Sequence, residues 1–173
     1  MPRSLLIGVL LMASFVATAR AADAIVPDIT VAADGSGDFT NVQKAVESIP
    51  KDNHQRIVIF IKDGIYKEKV RIDPACVTLR GQSRSGARIE FSQLNDDFGR
   101  KPDDLGRAVV NVEAEDVVLQ NLTIANTAGV VGPHAFAVYG RAADRTVIVD
   151  CDVLSEGADT LSLWKGDTGR YYH

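Results

Sequence analysis

Three segments of this chain repeat one pattern, and that repeat restricts the available folds more than any other feature. They are CVTLRGQS (76–83), DVVLQNLT (116–123) and TVIVDCDV (146–153), each a Val/Ile/Leu run ending in a polar Gly or Asn/Asp step. Their intervals of 30 to 40 residues suit the stacked coils of a β-solenoid with loop insertions of variable length. The runs are nearly continuous rather than strictly alternating, as expected of strands partly buried on both faces.

The rest of the chain agrees. RIVIFI (56–61), KVRI (69–72), RIEF (88–91), AVVNV (108–112) and AFAVYG (135–140) are short, rich in Val and Ile, and separated by Gly, Asp, Asn and Pro. No second helix is expected among them, which excludes alternating β-α units and leaves a sandwich, a barrel or a solenoid. The repeat favours the solenoid. One helix is well signalled in GDFTNVQKAVESIP (37–50). Thr40 can cap it with Gln43 three residues on, Val42, Ala45, Val46 and Ile49 form one apolar stripe, and Pro50 closes it. A helix this short and amphipathic should cover an apolar surface.

The first residues read as a targeting segment rather than as part of the fold. Arg3 precedes the apolar stretch LLIGVLLMASFVA (5–17), and Ala19-Arg20-Ala21 supplies a small-residue cleavage site. Residues 1–21 are therefore expected to be a signal peptide, and 22–173 a single secreted domain, extracellular or periplasmic. No other segment is long and apolar enough to suggest a bilayer span. The net charge is −4, and loss of Arg3 and Arg20 makes the remainder more acidic still. With no basic cluster, nucleic acid and anionic membranes are excluded as partners. An acidic polymer would also be repelled unless its charges were masked. Cys76 and Cys151, the only cysteines, each lie in a β-rich run and make no disulfide framework. Buried free thiols are expected, with a single bridge left open.

Two acidic features bear on chemistry. The segment SQLNDDFGRKPDDLG (92–106) carries Asp96, Asp97, Asp103 and Asp104, but Arg100 and Lys101 interrupt it and no calcium-loop spacing is present. It reads as a solvated loop, and no metal or cofactor site is expected. The second feature is Asp159 in GADTLSLW (157–164), set just after a strand-like run. Taken alone it is a good turn residue. Trp164, Tyr139, Tyr171 and Tyr172 could offer a ring face to a ligand or simply pack.

VAADGSGDFTNVQKAVESIP (31–50), IFIKDGIYKEKVRI (59–72), NLTIANTAG (121–129) and CDVLSEGADTLSLW (151–164) resemble, in order, the segments of pectinesterases. The resemblance implies an all-β fold, a right-handed parallel β-helix with a short N-terminal capping helix. It implies hydrolysis of pectin methyl esters by two carboxylates, with pectic polysaccharide as the partner and no cofactor. One Asp attacks the C6 carbonyl and another gives a proton to departing methanol, while two Gln support the oxyanion. Asp159 matches the proton donor. The first Gln falls on His134, which can still donate to an oxyanion, and the second falls on Ala158. The Thr of a third substrate-facing position falls near Asp104. Trp164 is a further candidate for substrate contact. The family's V-D-F nucleophile motif does not occur, and the sequence stops at GRYYH, so the expectation is a partial chain with C-terminal coils missing. The alternative reading is a non-catalytic β-helix that binds pectin.

Overall fold

The computed structural model describes residues 27–141 and 144–163, together with the backbone of 171–172. The expected signal peptide and Trp164 lie outside the described residues. In chain order the elements are β1 (Ile29–Val31), α1 (Val42–Glu47), β2 (Ile57–Ile61), β3 (Gly64–Lys67), β4 (Val70–Ile72), β5 (Val77–Gly81) and β6 (Ala87–Phe91). They continue with α2 (Asn95–Arg100), β7 (Val110–Val112), β8 (Val118–Gln120), β9 (Thr123–Asn126) and β10 (Val138–Gly140). The last are β11 (Thr146–Val149), β12 (Asp152–Ser155), β13 (Leu161–Ser162) and β14 (Tyr171–Tyr172).

Every pairing is parallel, and the strands stack into three sheets. β1-β2-β5-β8-β11-β14 form the first, β3-β6-β9-β12 the second and β4-β7-β10-β13 the third. Each coil therefore visits all three sheets in turn, as in β5–β6–β7 and β8–β9–β10. The three repeated segments are the successive strands β5, β8 and β11, and their aliphatic residues stack in register as Leu79, Leu119 and Ile148. Ile59 and Ile29 extend that ladder toward the N-terminus. Tyr66, Ile89 and Ile124 fill the second side of the interior, and Val70, Val110 and Val138 the third. Of the ten ladder residues from Ile59 onward, all but Ile148 are at most 3% exposed, so the ladders form one continuous dry core.

Two of the apolar runs that look continuous in sequence are each two strands. Asn121 breaks 117–124 into β8 and β9, and Asp150 breaks 146–154 into β11 and β12. Both have left-handed backbone, which short polar side chains tolerate better than Val or Ile. The Asn121 amide also donates to the carbonyls of Gly81 and Gln82 on the coil below. Gly81 occupies the equivalent corner, where a Cβ would lie 2.2 Å from the Asn121 carbonyl oxygen. Cys76, Asp116 and Arg145 are left-handed at the corner before β5, β8 and β11. Cys76 thus lies just before β5 and Cys151 just after β11, and both are free and half-buried.

α1 covers the N-terminal end of the coils, packing on β1, β2 and β4 through Val42, Ala45 and Val46. Its cap differs from the expected Thr40–Gln43 box. Asn41 is the N-cap and accepts from the Lys44 amide, while the Glu68 carboxylate takes the Val42 and Gln43 amides. Gln43 is drawn away from capping because its side chain accepts from the Arg71 amide and donates to Glu47. The segment 92–106 also differs from a simple solvated loop, since it contains α2. Asp96 and Asp97 in its first turn and Arg100 in its last complement the helix dipole.

Candidate active site

Lys69 shows how the surface beside the third sheet is built. It is 4% exposed, yet its ammonium donates to Gln93, to the Gly106 carbonyl and to Asp103. Phe91 and Phe98 flank it, each ring centroid 5.6 Å away. Burial works to raise the Asp103 carboxyl, but the Lys69 ammonium outweighs it and holds the group below its ordinary range. Both ends of the 92–106 segment are thereby fastened to the coil. Asn126 fastens the next loop. Its amide donates to the carbonyls of Gln93 and Phe136, and its oxygen accepts from the Ala128 amide.

These tethers set the approach to β10. The His134 carbonyl accepts from the Asn95 amide at 2.8 Å, which seats the start of α2 against it. The next coil closes over the same residues. Ala135 donates to the Ala158 carbonyl at 3.0 Å, and Ala158 donates to the Pro133 carbonyl at 2.9 Å. His134 and Ala158 are register partners in an isolated parallel bridge. Gly157 permits this approach, because a Cβ there would meet the Pro133 carbonyl oxygen at 2.5 Å.

Asp159 follows, and its carboxylate oxygen lies 2.9 Å from His134 Nδ1. The two side chains are 53% and 55% exposed. A pair so exposed contributes at most about 1 kcal/mol to stability. Asp159 is also left-handed, with φ of 57°. The other non-glycine left-handed residues described, Cys76, Asp116, Asn121, Arg145 and Asp150, all turn a corner of the first sheet. Asp159 turns none of those corners.

Outside the coil interior, the His134 ring lies parallel to Phe136 at 6.0 Å, and Phe136 meets Tyr139 edge-on at 5.1 Å. Arg107 caps that cluster, 5.2 Å from the Tyr139 ring and 5.3 Å from Phe98, and donates to Asn95. Tyr139 is thus a packing residue, 3% exposed. Beside the cluster opens a polar cleft of about 230 Å³ whose walls include Arg71, Asp104, Arg107, Tyr139 and Arg141. Among the described residues no group of three or more His, Cys, Asp or Glu side chains could hold a metal ion.

The structure therefore brings His134, Ala158 and Asp159 together. Asp104 lines the neighbouring cleft, and Trp164 is outside the described residues. Lys69, Asn126 and Arg107 were not singled out from sequence. Asn126 lies inside NLTIANTAG, where the motif could have flagged it, but Lys69 meets Asp103 across 34 residues with no local signal.

The family model for pectinesterases matches residues 28–170. The chain belongs to the pectinesterase family. Relatives include probable pectinesterase 56 of Arabidopsis thaliana, 36% identical over 80% of this chain and 47% of that protein. A Petunia integrifolia pectinesterase is 32% identical over 73% of this chain and 33% of its own length. Among solved structures, the carrot pectin methylesterase superposes with a TM-score of 0.66 at 30% identity, covering 78% of this chain and 42% of that one. A pectin methylesterase mutant in complex with hexasaccharide IV gives 0.68 at 23% identity, over 83% and 47%. The fold is that of these enzymes, a right-handed parallel β-helix. The chain spans less than half the length of each of these pectinesterases.

Proposed function

We propose that the complete protein is a secreted esterase that removes methyl groups from the galacturonate esters of pectin in cell wall modification. Residues 1–21 direct export, and residues 22–173 form the domain that carries Asp159. Asp159 is the acid/base residue, and a second carboxylate supplied by the complete protein is the nucleophile. The observation that carries this reading is Asp159 itself, held exposed and left-handed at a position where no first-sheet corner requires it. Such backbone persists at functional sites when the surrounding structure over-determines it.

The chemistry needs this arrangement. A carboxylate is a weak nucleophile, and methoxide is a poor leaving group unless a proton reaches it. A proton-handling pair beside the reacting carbonyl meets that need without a metal or cofactor. Methyl esters also mask the polymer's charge, which suits an acidic protein. Arg71, Arg107 and Arg141 in the adjoining cleft can receive the free carboxylates of a partly esterified chain. His134 faces the same substrate, and Trp164 is a further candidate contact.

The test is methanol release from methylated pectin by the complete protein and its Asp159→Asn variant. The variant should lose about 10²–10⁴-fold, the usual contribution of a positioned acid/base group. Wild-type turnover in it would remove Asp159 from the chemistry.

A further inference from the structure

We infer that Asn121 is an acceptor for an asparagine-linked glycan only while the chain is open, and that a glycan there and the closed coil exclude each other. This stands apart from the esterase reading and bears on how an exported form of the chain can be made. Asn121-Leu122-Thr123 is the one Asn-x-Ser/Thr triplet in the sequence. In a secreted protein such a triplet is the signal for glycan transfer, and a used one sits on a surface loop.

Here the triplet is built into the wall of the solenoid. Asn121 turns the corner between β8 and β9 with φ of 54°. Its side-chain amide donates to the Gly81 carbonyl at 3.0 Å and to the Gln82 carbonyl at 3.2 Å, which occupies both of its hydrogens. Leu122 and Thr123 are buried, and the Thr123 hydroxyl donates to the Arg84 carbonyl at 2.6 Å. The following coil closes the other side. The Asn121 backbone amide donates to the Val149 carbonyl, and the Leu122 carbonyl accepts from the Asp152 amide, both at 3.1 Å. The triplet is clamped between two coils.

A glycan replaces one side-chain amide hydrogen with a sugar carbon. One carbonyl of the preceding coil then loses its donor, and a bulky ring must stand where that coil lies. The corner has no slack to give. A single Cβ at position 81 would already lie 2.2 Å from the Asn121 carbonyl oxygen and 2.9 Å from the Leu122 Cβ. Transfer in turn needs a free Asn121 amide, which the closed corner does not offer. The order of events therefore decides the outcome. Gly81 precedes Asn121 by 40 residues, so its coil is already made when Asn121 emerges during synthesis. If β8 docks on β5 first, with Leu119 in register with Leu79, the chain folds unmodified. If transfer comes first, the corner stays open.

The experiment expresses the complete protein and its Gly81→Ala variant through a eukaryotic secretory pathway. Trypsin separates resistant, folded chains from sensitive ones, and peptide mass spectrometry reads glycan occupancy at Asn121 in each fraction. Resistant wild-type chains should carry no glycan. Gly81→Ala, whose methyl group props the corner open, should be modified and trypsin-sensitive. Glycan at Asn121 on any trypsin-resistant chain, wild-type or variant, overturns the exclusion. A Gly81→Ala chain that stays unmodified, resistant or not, overturns the acceptor role. Neither result touches the esterase reading, which methanol release tests separately.

Discussion

Replacing Lys69 by methionine tests whether a single buried ammonium organises the surface beside the third sheet. The substitution keeps an unbranched apolar stem between Phe91 and Phe98, and removes the donor to Gln93, Gly106 and Asp103. Stripping one partner from a wholly buried ion pair costs about 3–5 kcal/mol, since the other charge is stranded. Asp103 is 47% exposed, so water recovers most of its charge. What remains is the loss of hydrogen bonds to two further acceptors and of two cation–π contacts. The expected cost is about 2–3 kcal/mol. Urea titration reads this directly. For a slope of about 2 kcal/mol/M, the midpoint falls by about 1–1.5 M with the slope unchanged.

A second readout is proteolysis, which should cut within 92–106 sooner in the variant. Acid should narrow the gap between the two proteins. Because Asp103 is held below its ordinary range, its pairing stabilises the fold above the unfolded carboxyl's titration, near pH 4, and is lost as pH falls through the lowered value. A loss below about 0.5 kcal/mol, typical of an ordinary surface site, with no change in cleavage would refute the tether.

Asn126→Ala removes four hydrogen bonds from a buried site and should cost about 2–3 kcal/mol in denaturant unfolding; an unchanged midpoint would mean the loop is held elsewhere. Gly157→Ala drives a methyl group against the Pro133 carbonyl and should cost about 1–3 kcal/mol, spread the two coils and impair methanol release. Full activity and stability in that variant would show that the coils can part without moving His134 from Asp159. The Cys151 thiol is pushed up chiefly by burial, so in the native protein near neutral pH it should react slowly with a thiol reagent and quickly once unfolded. Equal rates in both states would contradict that burial.

The coil was legible in the sequence because its interior is written in repeated local pattern. CVTLRGQS, DVVLQNLT and TVIVDCDV stack because Leu79, Leu119 and Ile148 must bury the same face, and period alone reports that. Corners were less legible. Asn121 and Asp150 look like polar interruptions in long strands, and only the left-handed backbone shows that each ends one sheet and begins the next. α2 was missed because a six-residue helix with one aromatic has little periodicity, and its position depends on Lys69 and Asn95 contacts made far along the chain.

The site divides in the same way. Sequence by itself determined that Asp159 stands in a family-like segment, that His134 and Ala158 depart from it, and that the chain builds a β-solenoid with an apolar interior. Only the tertiary structure decided that the two departures are register partners, and that His134 turns one nitrogen to Asp159. The physical reason is separation along the chain. Burial and turn preferences act through near neighbours and leave a trace in local pattern. A contact between coils is set by the length of the intervening loops and the pitch of the stack, which no short stretch of residues records.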